Sequence, residues 1–419
     1  MDIIVNIMMF IITFGNTSYI FISINKRGVY MKKKSIFIIM LITILCGIIY
    51  FYHYYNNSTN AFQSNASAEA AYEKYLSDIN NNTSTVTFIS AGDILFHMPE
   101  VAAASENKTY NFNPMFSEVK DIISSADISA ANFETTINPD RNLSGYPAFN
   151  TPVQALDALK ATGFQVLLND HNHSLDTGLQ GLRSTNNLIK QYGFKVLGSG
   201  EPGQDKSVIA EKNNIKIGML SYTYSTNYGM QYPDMINYID EGKIKKEIND
   251  IKPKCDFLIV YLHLGTEYVR NVEDFQSKLV KDVAEMGADA ILCSHPHVAK
   301  KTEMLYAKGK NVLVNYSMGN FISNQNDKYT DIGSMERMVI EKRNGSTRLK
   351  SAETIPVYRL RYQSNGKTIY KTVPCSNIDK FKNFLVQGTT AYVNQVSQEL
   401  MFNYAAPRFN YMELKPADY

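Results

Sequence analysis

The feature that most constrains the fold is an alternation, from residue 85 onward, of short apolar runs with stretches whose apolar residues recur at helical spacing. The apolar runs read TVTFIS, ISAAN, FQVLL, KIGMLSY, FLIVYL, AILC and NVLVNY. The helical stretches between them include VQALDALKATG, LQGLRSTNNLIKQYG and FQSKLVKDVAEMG. Alternating strands and helices of these lengths predict an α/β domain. Beyond about residue 344, the segment RLRYQSNGKTIYKTV predicts antiparallel strands, followed by one helix.

Five of the apolar runs lead directly into polar side chains that can bind a metal ion. These side chains are Asp93, Glu134, Asn172 with His173, His263, and His295 with His297. Ligand sites in α/β sheets gather at the carboxyl ends of strands, so we expect the five strand ends to converge on one site. Oxygen and imidazole ligands together suit Mn, Fe or Zn. A carboxylate shared by two cations about 3.5–4 Å apart would give a two-metal hydrolytic centre.

Each of these residues taken alone also has a purely structural interpretation. Asp93 could belong to a turn, and His263 could be a core histidine bonded to the backbone. The His-Pro-His stretch is the better signal, because Pro296 fixes the backbone between two imidazoles. Asp176 and Gly178 are interpreted as structural residues that set the start of the following helix. The metal site is therefore predicted from the joint placement of these residues.

The N-terminal part predicts a membrane anchor. Three lysines precede an uncharged run from Ser35 to Tyr52, which is long enough to cross a bilayer as a helix. No small-residue cleavage site follows, so we expect an uncleaved signal anchor in the cell membrane. The lysines should stay cytoplasmic, which would leave the C-terminal domain extracellular. An uncharged stretch over residues 3–25 is either a second, poorer span or lies before a true start at Met31.

These patterns divide the chain into five parts. They are an extra N-terminal segment or mis-assigned start (1–30), the transmembrane signal anchor (31–55), a polar linker (56–84), one α/β domain (85–343) and a C-terminal extension of that domain (344–419). The net charge of +2 gives no electrostatic reason to expect a nucleic-acid partner. The four cysteines show neither disulfide nor zinc-finger spacing. Any metal must then be held by His, Asp, Glu and Asn.

Six motifs occur in an order that resembles a known family. They are GDIL, ANFE, NHSLDTG, YLHLGTEY, SHPHV and NYSMGNF. Together, over roughly residues 85–325, they resemble the CapA/PgsA capsule-synthesis proteins of poly-γ-glutamate biosynthesis, which are related to the calcineurin-like metallophosphoesterases. We therefore expect a four-layer α/β/β/α sandwich of two packed mixed sheets, preceded by the transmembrane helix.

The resemblance also implies a role for each candidate residue. Asp93 and His297 would bind a first metal, and Glu134 stands where related enzymes place a bridging carboxylate. The implied second-metal ligands are Asn172, His263 and His295. His173 would be the catalytic histidine that interacts with the leaving group. Further candidates for the site are Glu267, Glu303 and Asn320.

Three departures from the family pattern leave the number of metals open between two, one and none. Leu95 stands where related phosphoesterases have a histidine, and His97 is a candidate substitute. Asp170 and His171 replace a small residue and an asparagine, so both are added to the candidate list. Finally, Cys293 and Ser294 replace the Gly-His pair that commonly precedes His-Pro-His.

Two classes of function follow from the resemblance. In the first, the domain is a metal-dependent hydrolase or transferase that acts on a phosphoester or amide-type bond. In the second, the same site binds an anionic polymer without chemistry, and the protein is an assembly factor for membrane-embedded polymer synthase subunits. A third interpretation is an extracellular metallophosphatase unconnected with capsule. A shared fold alone does not decide among these, because function resides in the site.

Overall fold

The computed structural model describes residues 7–14, 17–24, 41–56, 69–74 and 82–406. The chain divides into two compact units, Met1–Asn81 and Asn82–Tyr419. In the first unit, β1 (Ile7–Phe14) and β2 (Thr17–Ile24) pair as an antiparallel hairpin. Residues 41–56 of the same unit form helix α1, and residues 69–74 are also helical. Most of the predicted linker, 56–84, lies outside the described residues.

The prediction of a transmembrane helix is wrong. Helix α1 covers residues 41–56, and residues 35–40 of the predicted span lie outside the described residues. No helix in the described part of the chain is both long enough and apolar enough to span a membrane. The expected fold therefore loses its transmembrane element.

The larger sheet of the second unit contains nine strands. They are β3 (Thr83–Ile94), β6 (Ile128–Phe133), β7 (Val166–Leu168), β8 (Lys195–Leu197), β15 (Asn320–Ile322), β16 (Ile332–Arg343), β17 (Ser346–Ser364), β18 (Lys367–Pro374) and β19 (Asn403–Ala405). Their order is β18-β17-β16-β3-β6-β7-β8, with β15 paired to β3 and β19 to β17. From β3 to β8 the pairs are parallel, whereas β16 to β18 are antiparallel.

The smaller sheet contains six strands. They are β9 (Val208–Lys212), β10 (Ile215–Thr223), β11 (Phe257–His263), β12 (Ala290–Ser294), β13 (Thr302–Ala307) and β14 (Lys310–Asn315). Their order is β13-β14-β12-β11-β10-β9, and the four central strands are parallel. The short strands β4 (Ser105–Glu106) and β5 (Thr109–Tyr110) form a separate hairpin.

In the described part of the second unit, seven helices connect and cover the sheets. They are α2 (Met98–Ala103), α3 (Lys120–Ser124), α4 (Gln154–Thr162), α5 (Gly178–Gln191), α6 (Glu241–Ile251), α7 (Asp274–Met286) and α8 (Thr389–Leu400). Three 3-10 segments accompany them, at Asn113–Phe116, Lys252–Lys254 and Cys375–Phe384.

The two sheets pack face to face, with helices on their outer faces. Phe88 of β3 belongs to a core shared with Ile259 of the smaller sheet, so this core lies between the sheets. The next residue, Ile89, belongs to a second core with Leu156 of α4, because successive side chains of a strand point to opposite faces. On the smaller sheet, Val260 packs in a third core with residues of α6 and α7. The second unit is thus a mixed α/β fold.

Most elements expected from the sequence pattern are confirmed. All seven apolar runs form strands, and the three helical stretches form α4, α5 and α7. The C-terminal segment forms the antiparallel pair β17 and β18, followed by helix α8. The sequence pattern missed α6, although Ile244 and Ile248 have helical spacing and Asp240 caps the first turn by accepting a hydrogen bond from the Lys243 backbone.

A fully buried glutamate, Glu336, lies in β16. Its Oε1 accepts hydrogen bonds from Thr302 Oγ1, Asn315 Nδ2 and Thr354 Oγ1 at 2.7–2.9 Å. The other oxygen, Oε2, has no hydrogen-bond partner. Burial raises the pKa of Glu336 to about 7, against the lowering effect of the three hydrogen bonds. The folded protein therefore favours the protonated carboxyl group.

We expect Glu336→Gln to stabilise the protein above neutral pH. The pKa of Glu336 is higher in the folded protein than in the unfolded chain. The free energy of unfolding of the wild type therefore falls as the pH rises from the unfolded-state pKa to the folded-state pKa. The total loss from this group is about 3 kcal/mol, and at higher pH its contribution is constant. The neutral amide does not titrate, so the difference in melting temperature between variant and wild type should grow from about pH 5 to about pH 8. An equal difference at both pH values would contradict the interpretation.

Candidate metal centre

The carboxyl ends of strands from both sheets meet at one point of the second unit. β3 and β6 of the larger sheet bring Asp93 and Glu134, and the segment after β7 brings Asn172. β11 ends with His263, and β12 runs directly into the His-Pro-His stretch. All six metal-ligand candidates named from the sequence have at most 4% of their surface exposed: Asp93, Glu134, Asn172, His263, His295 and His297. Side chains far apart in sequence are thus gathered in one buried cluster.

The donor atoms form two overlapping groups that share Glu134. One group is Asp93, Glu134 and His263, and the other is Glu134, His295 and His297. Within each group the donor atoms lie within 4.8 Å of one another. This grouping differs from the division between two metals that the resemblance implied, since His263 lies with Asp93 and His297 with His295. Glu134 is the residue that the two groups have in common.

The unpartnered atoms of the cluster fit a cation. Asp93 Oδ2, Glu134 Oε1 and His295 Nδ1 are buried and have no hydrogen-bond partner. Buried polar atoms are nearly always paired, so three unpaired atoms in one place require an explanation. A divalent cation held by carboxylate oxygen and imidazole nitrogen would satisfy them, and this donor set suits Mn, Fe or Zn. The residues present therefore fit the predicted metal.

The neighbours of His263 orient its ring within the cluster. Its Nε2 lies 2.8 Å from Asn172 Oδ1 and 3.6 Å from Glu134 Oε1. Its Nδ1 lies 2.9 Å from Ser294 Oγ. Ser294, which departs from the family pattern, thus fixes a predicted ligand from the neighbouring strand. Such contacts to the second ring nitrogen set the tautomer and direction of a histidine ligand.

The His-Pro-His stretch carries backbone strain. His295 has φ of 96° and His297 has φ of 58°, both in the left-handed region that residues other than glycine rarely adopt. Each such residue costs on the order of 1–3 kcal/mol and persists where its surroundings impose it, commonly at functional sites. His297 is also held by a side chain, because its Nδ1 lies 3.1 Å from Asn320 Oδ1. The surroundings therefore hold both residues in a strained backbone conformation, with Pro296 between them and Asn320 against the ring of His297.

Asn320 reaches His297 because two glycines allow a close backbone approach. The Asp93 backbone N–H donates to Gly319 O at 2.9 Å, next to the pairing of β15 with β3. A Cβ on Gly92 would lie 2.0 Å from that carbonyl oxygen. Gly319 itself has φ of 63°, and its Cβ would lie 2.6 Å from Ala299 N. The glycines of the GDIL and NYSMGNF motifs thus bring the two segments together beside the cluster.

Burial controls the charge state of the cluster. Burial, followed by the nearby carboxylates of Asp93 and Glu267, raises the pKa of Glu134 well above its ordinary value. Burial also lowers the pKa of His263 and of His295 well below the ordinary value, and the neighbouring histidines lower both further. Neutral imidazole is the form that binds metals. Without metal, burial thus favours the neutral forms of Glu134, His263 and His295, and a bound cation would compensate an ionised Glu134.

His173, the predicted catalytic histidine, forms a pair with Asp176. Its Nδ1 lies 2.7 Å from Asp176 Oδ2, which also accepts a hydrogen bond from the Phe149 backbone N–H at 2.6 Å. This corrects the interpretation of Asp176 as a residue that starts the next helix. Helix α5 is preceded by Thr177 and has no side-chain cap. The carboxylate is instead engaged by the ring of His173 and by the backbone.

The additional candidates divide into neighbours of the cluster and residues outside it. His171 is buried, with its ring centroid 6.1 Å from that of His263, and burial lowers its pKa well below the ordinary value. Asp170 accepts a hydrogen bond from Ser221 Oγ at 2.7 Å and belongs to neither donor group. Asp170 fits there because residue 198 is glycine, whose Cβ would lie 2.0 Å from the carboxylate.

The other candidates also lie outside both donor groups. His97 contacts the edge of the Phe149 ring, and burial lowers its pKa to about 4. It does not join either group, so the structure does not place it as the substitute for the missing histidine. Glu267 influences Glu134 only through its charge. Glu303 pairs with Lys301 and with Tyr316 OH, away from the predicted ligands.

The sequence reasoning missed several residues in contact with the cluster. Asn132 Nδ2 donates to Asp93 Oδ1 at 2.8 Å and to Glu134 Oε2 at 3.0 Å. The rings of Tyr224 and Tyr268 lie over His295 and His297, at centroid distances of 4.7 Å and 6.2 Å. Asn132 stands inside the ANFE motif, two residues before Glu134, and this strand spacing is the signal that could have identified it. No comparable sequence pattern identifies Tyr224 or Tyr268 as neighbours of the cluster.

Comparison with known proteins supports the resemblance seen in the motifs. Residues 87–325, more than half of the chain, match the model of the family described as bacterial capsule synthesis protein PGA_cap. The chain belongs to this family. The prediction of a CapA-type capsule-synthesis protein is therefore confirmed, and the matched residues contain every predicted site residue from Asp93 to Asn320.

Two curated PGA_cap relatives carry CapA names. The chain is 27% identical over 246 residues to the PGA biosynthesis protein CapA of Bacillus subtilis strain 168, a match that covers 56% of this chain and 63% of that protein. It is 26% identical over 310 residues to the capsule biosynthesis protein CapA of Bacillus anthracis, covering 69% of this chain and 67% of that protein. The chain thus spans about two thirds of the length of each.

The solved structures with a similar fold include a calcineurin-like phosphoesterase. YfkN from Bacillus subtilis is 14% identical, with a TM-score of 0.40, and the match covers 74% of this chain and 99% of that chain. At this sequence identity and TM-score, the similarity supports no conclusion beyond the family match.

We expect Glu134→Gln to remove most of the metal-binding capacity of the protein. Glu134 belongs to both donor groups, so its loss affects every cation that the cluster can hold. Affinity for Mn²⁺ or Zn²⁺, measured by isothermal titration on the full chain, should fall by about 100-fold or more. Glu303→Gln is the matched control, because Glu303 is a glutamate of the same domain outside both groups. Equal affinity in the two variants would refute the assignment.

Proposed function

We propose that this chain is a metal-dependent hydrolase or transferase of the phosphoesterase type that acts in the synthesis of a capsular polymer. The observation that carries the proposal is the pair of donor groups that share Glu134 and contain unpartnered buried atoms. Membership of the PGA_cap family supports the connection with capsule synthesis. Poly-γ-glutamate is the proposed polymer, in keeping with the name of the Bacillus subtilis relative.

The proposed cofactor is one or two divalent cations, Mn, Fe or Zn. A cation bound in the cluster would supply Lewis-acid polarisation of a phosphoryl or carbonyl oxygen. The protein's own contribution is to hold the ligands in a buried, rigid arrangement before the substrate arrives. Strained backbone at His295 and His297, and the fixed ring of His263, serve this purpose.

His173 is proposed to move the proton of the reaction. With Nδ1 directed at Asp176 Oδ2 at 2.7 Å, Nε2 is the nitrogen left for the substrate. The Asp176 carboxylate would stabilise the imidazolium form, which donates a proton from Nε2 to the leaving group. The ring packs edge-on against Phe149 at a centroid distance of 4.8 Å, which restricts its rotation. His173 thus combines a fixed direction with a partner for its positive charge.

The polymer and the synthase subunits that make it are the proposed partners. Capsule synthesis requires a polymerising activity, and the donor groups described here suit bond cleavage or transfer by a bound metal. The location of the domain outside the cell stays a prediction.

The proposed function predicts a separation between metal binding and turnover. In His173→Ala, metal content should match wild type, whereas kcat for bis(p-nitrophenyl) phosphate should fall by about 100-fold or more, the usual contribution of a general acid. Asp176→Asn should also lower kcat strongly, because the amide loses the charge that stabilises imidazolium and can direct an N–H toward Nδ1, which favours the wrong tautomer. The measurements are metal analysis and steady-state kinetics on the full chain.

A metal-loaded wild type that turns over neither a phosphodiester nor a γ-glutamyl amide would contradict the enzymatic proposal. Intact polymer production in cells that carry only His173→Ala would then favour the assembly-factor interpretation. Glu303→Gln again serves as the control, since Glu303 contacts neither the cluster nor His173.

A further inference from the structure

Asn132 occupies the space between the two carboxylates of the metal cluster. It lies in β6, where it is paired in register with Asp93 of β3 after a bulge in the pairing. Glu134 is two residues further along the chain, so its side chain leaves the strand on the same side as that of Asn132. Asn132 itself is 1% exposed. Its side-chain amide is therefore flanked by one carboxylate from the next strand and one from its own chain segment.

The two hydrogens of this amide bind one oxygen of each carboxylate. Asn132 Nδ2 donates to Asp93 Oδ1 at 2.8 Å and to Glu134 Oε2 at 3.0 Å. The other two oxygens, Asp93 Oδ2 and Glu134 Oε1, have no hydrogen-bond partner. An amide NH₂ group has two donors, and the two carboxylates are their nearest partners, with His263 Nδ1 a more distant neighbour at 3.4 Å. Asn132 thus divides the four carboxylate oxygens into two that are bound and two that are free.

The two free oxygens face the histidines. Asp93 Oδ2 lies 3.3 Å from His297 Nδ1. Glu134 Oε1 lies 3.6 Å from His263 Nε2 and 3.8 Å from His297 Nε2. One oxygen of Glu134 therefore reaches histidines of both donor groups, whereas its other oxygen is turned toward Asn132. A cation among these histidines meets one oxygen from each carboxylate.

We propose that Asn132 is a positioning residue that limits Asp93 and Glu134 to binding a cation through one oxygen each. The proposal rests on the metal site of the proposed function and adds a determinant of metal selectivity to it. Ca²⁺ commonly takes both oxygens of a carboxylate and needs six to eight oxygen ligands. Single-oxygen binding together with imidazoles favours Mn, Fe or Zn instead. Asn132 would thus help the cluster to exclude Ca²⁺.

The test compares Mn²⁺ and Ca²⁺ affinity in Asn132→Ala and Asn132→Leu. The first variant removes the amide, and the second keeps a similar volume without any donor. In both, Asp93 Oδ1 and Glu134 Oε2 become free, so each carboxylate can bind through two oxygens. By isothermal titration on the full chain, Mn²⁺ affinity should fall by about 10- to 100-fold, with a smaller loss for Ca²⁺. The ratio of the two affinities is the decisive quantity.

Asn315 provides a matched control for loss of folding stability. It is also fully buried and also donates through Nδ2 to a buried carboxyl group, that of Glu336, at 2.7 Å. Asn315→Ala should also lower the melting temperature, since it removes a donor from a buried carboxyl group, as Asn132→Ala does for Asp93 and Glu134. Its Mn²⁺ to Ca²⁺ affinity ratio should stay within about twofold of wild type.

The outcomes separate this proposal from the proposed function. Wild type that binds none of Mn²⁺, Fe²⁺ and Zn²⁺ overturns both, and if only Fe²⁺ or Zn²⁺ binds, that ion takes the place of Mn²⁺ in the affinity ratio. Wild type that binds Mn²⁺, together with an unchanged affinity ratio in the Asn132 variants, overturns the selectivity role alone. If neither variant folds, a crystal structure of Mn²⁺-loaded wild type decides. It supports the proposal if each carboxylate binds through one oxygen with Asn132 Nδ2 on the other, and it overturns the proposal if either carboxylate binds through two.

Discussion

Two buried carboxylates, Asp93 and Glu134, lie side by side where the two sheets meet, and the arrangement around them follows from their mutual repulsion. Burying one unpaired charge is already costly, and burying two together is more so. The structure compensates in two ways. Asn132 donates a hydrogen bond to each carboxylate, and burial shifts the pKa of Glu134 upward so that the metal-free cluster favours its neutral form. A bound cation would replace that proton.

The ligands can converge because two sheets contribute to one cluster. Parallel strands of the larger sheet end with the carboxylates, and parallel strands of the smaller sheet end with the histidines. The core between the sheets fixes the distance between these two sets of strand ends. Close packing makes that distance rigid, and a metal site depends on donor positions that are set before the ion arrives. The packing of the two sheets thus sets the distances between the donor atoms of the cluster.

Local sequence patterns predicted the strands, the main helices and most of the residues of the cluster, and they failed in identifiable ways. The apolar run from Ser35 to Tyr52 predicted a transmembrane helix from composition, but no helix in the described part of the chain is both long and apolar enough to cross a membrane. Asp176 resembled a helix-start residue, yet it pairs with His173. His97 was a reasonable substitute ligand by spacing, but its ring turns toward Phe149.

By itself, the sequence determined the order of strands and helices, the polar residues at the strand ends and the family, because these depend on local periodicity and on motifs within short segments. Tertiary structure alone decided which donors share a group, which oxygens stay free and which asparagine separates the carboxylates. Those properties depend on register between β3 and β6 and on the packing of two sheets. Contacts between residues more than a hundred positions apart in the sequence, such as that of Asn132 with His263, do not appear in the local periodicity of the sequence.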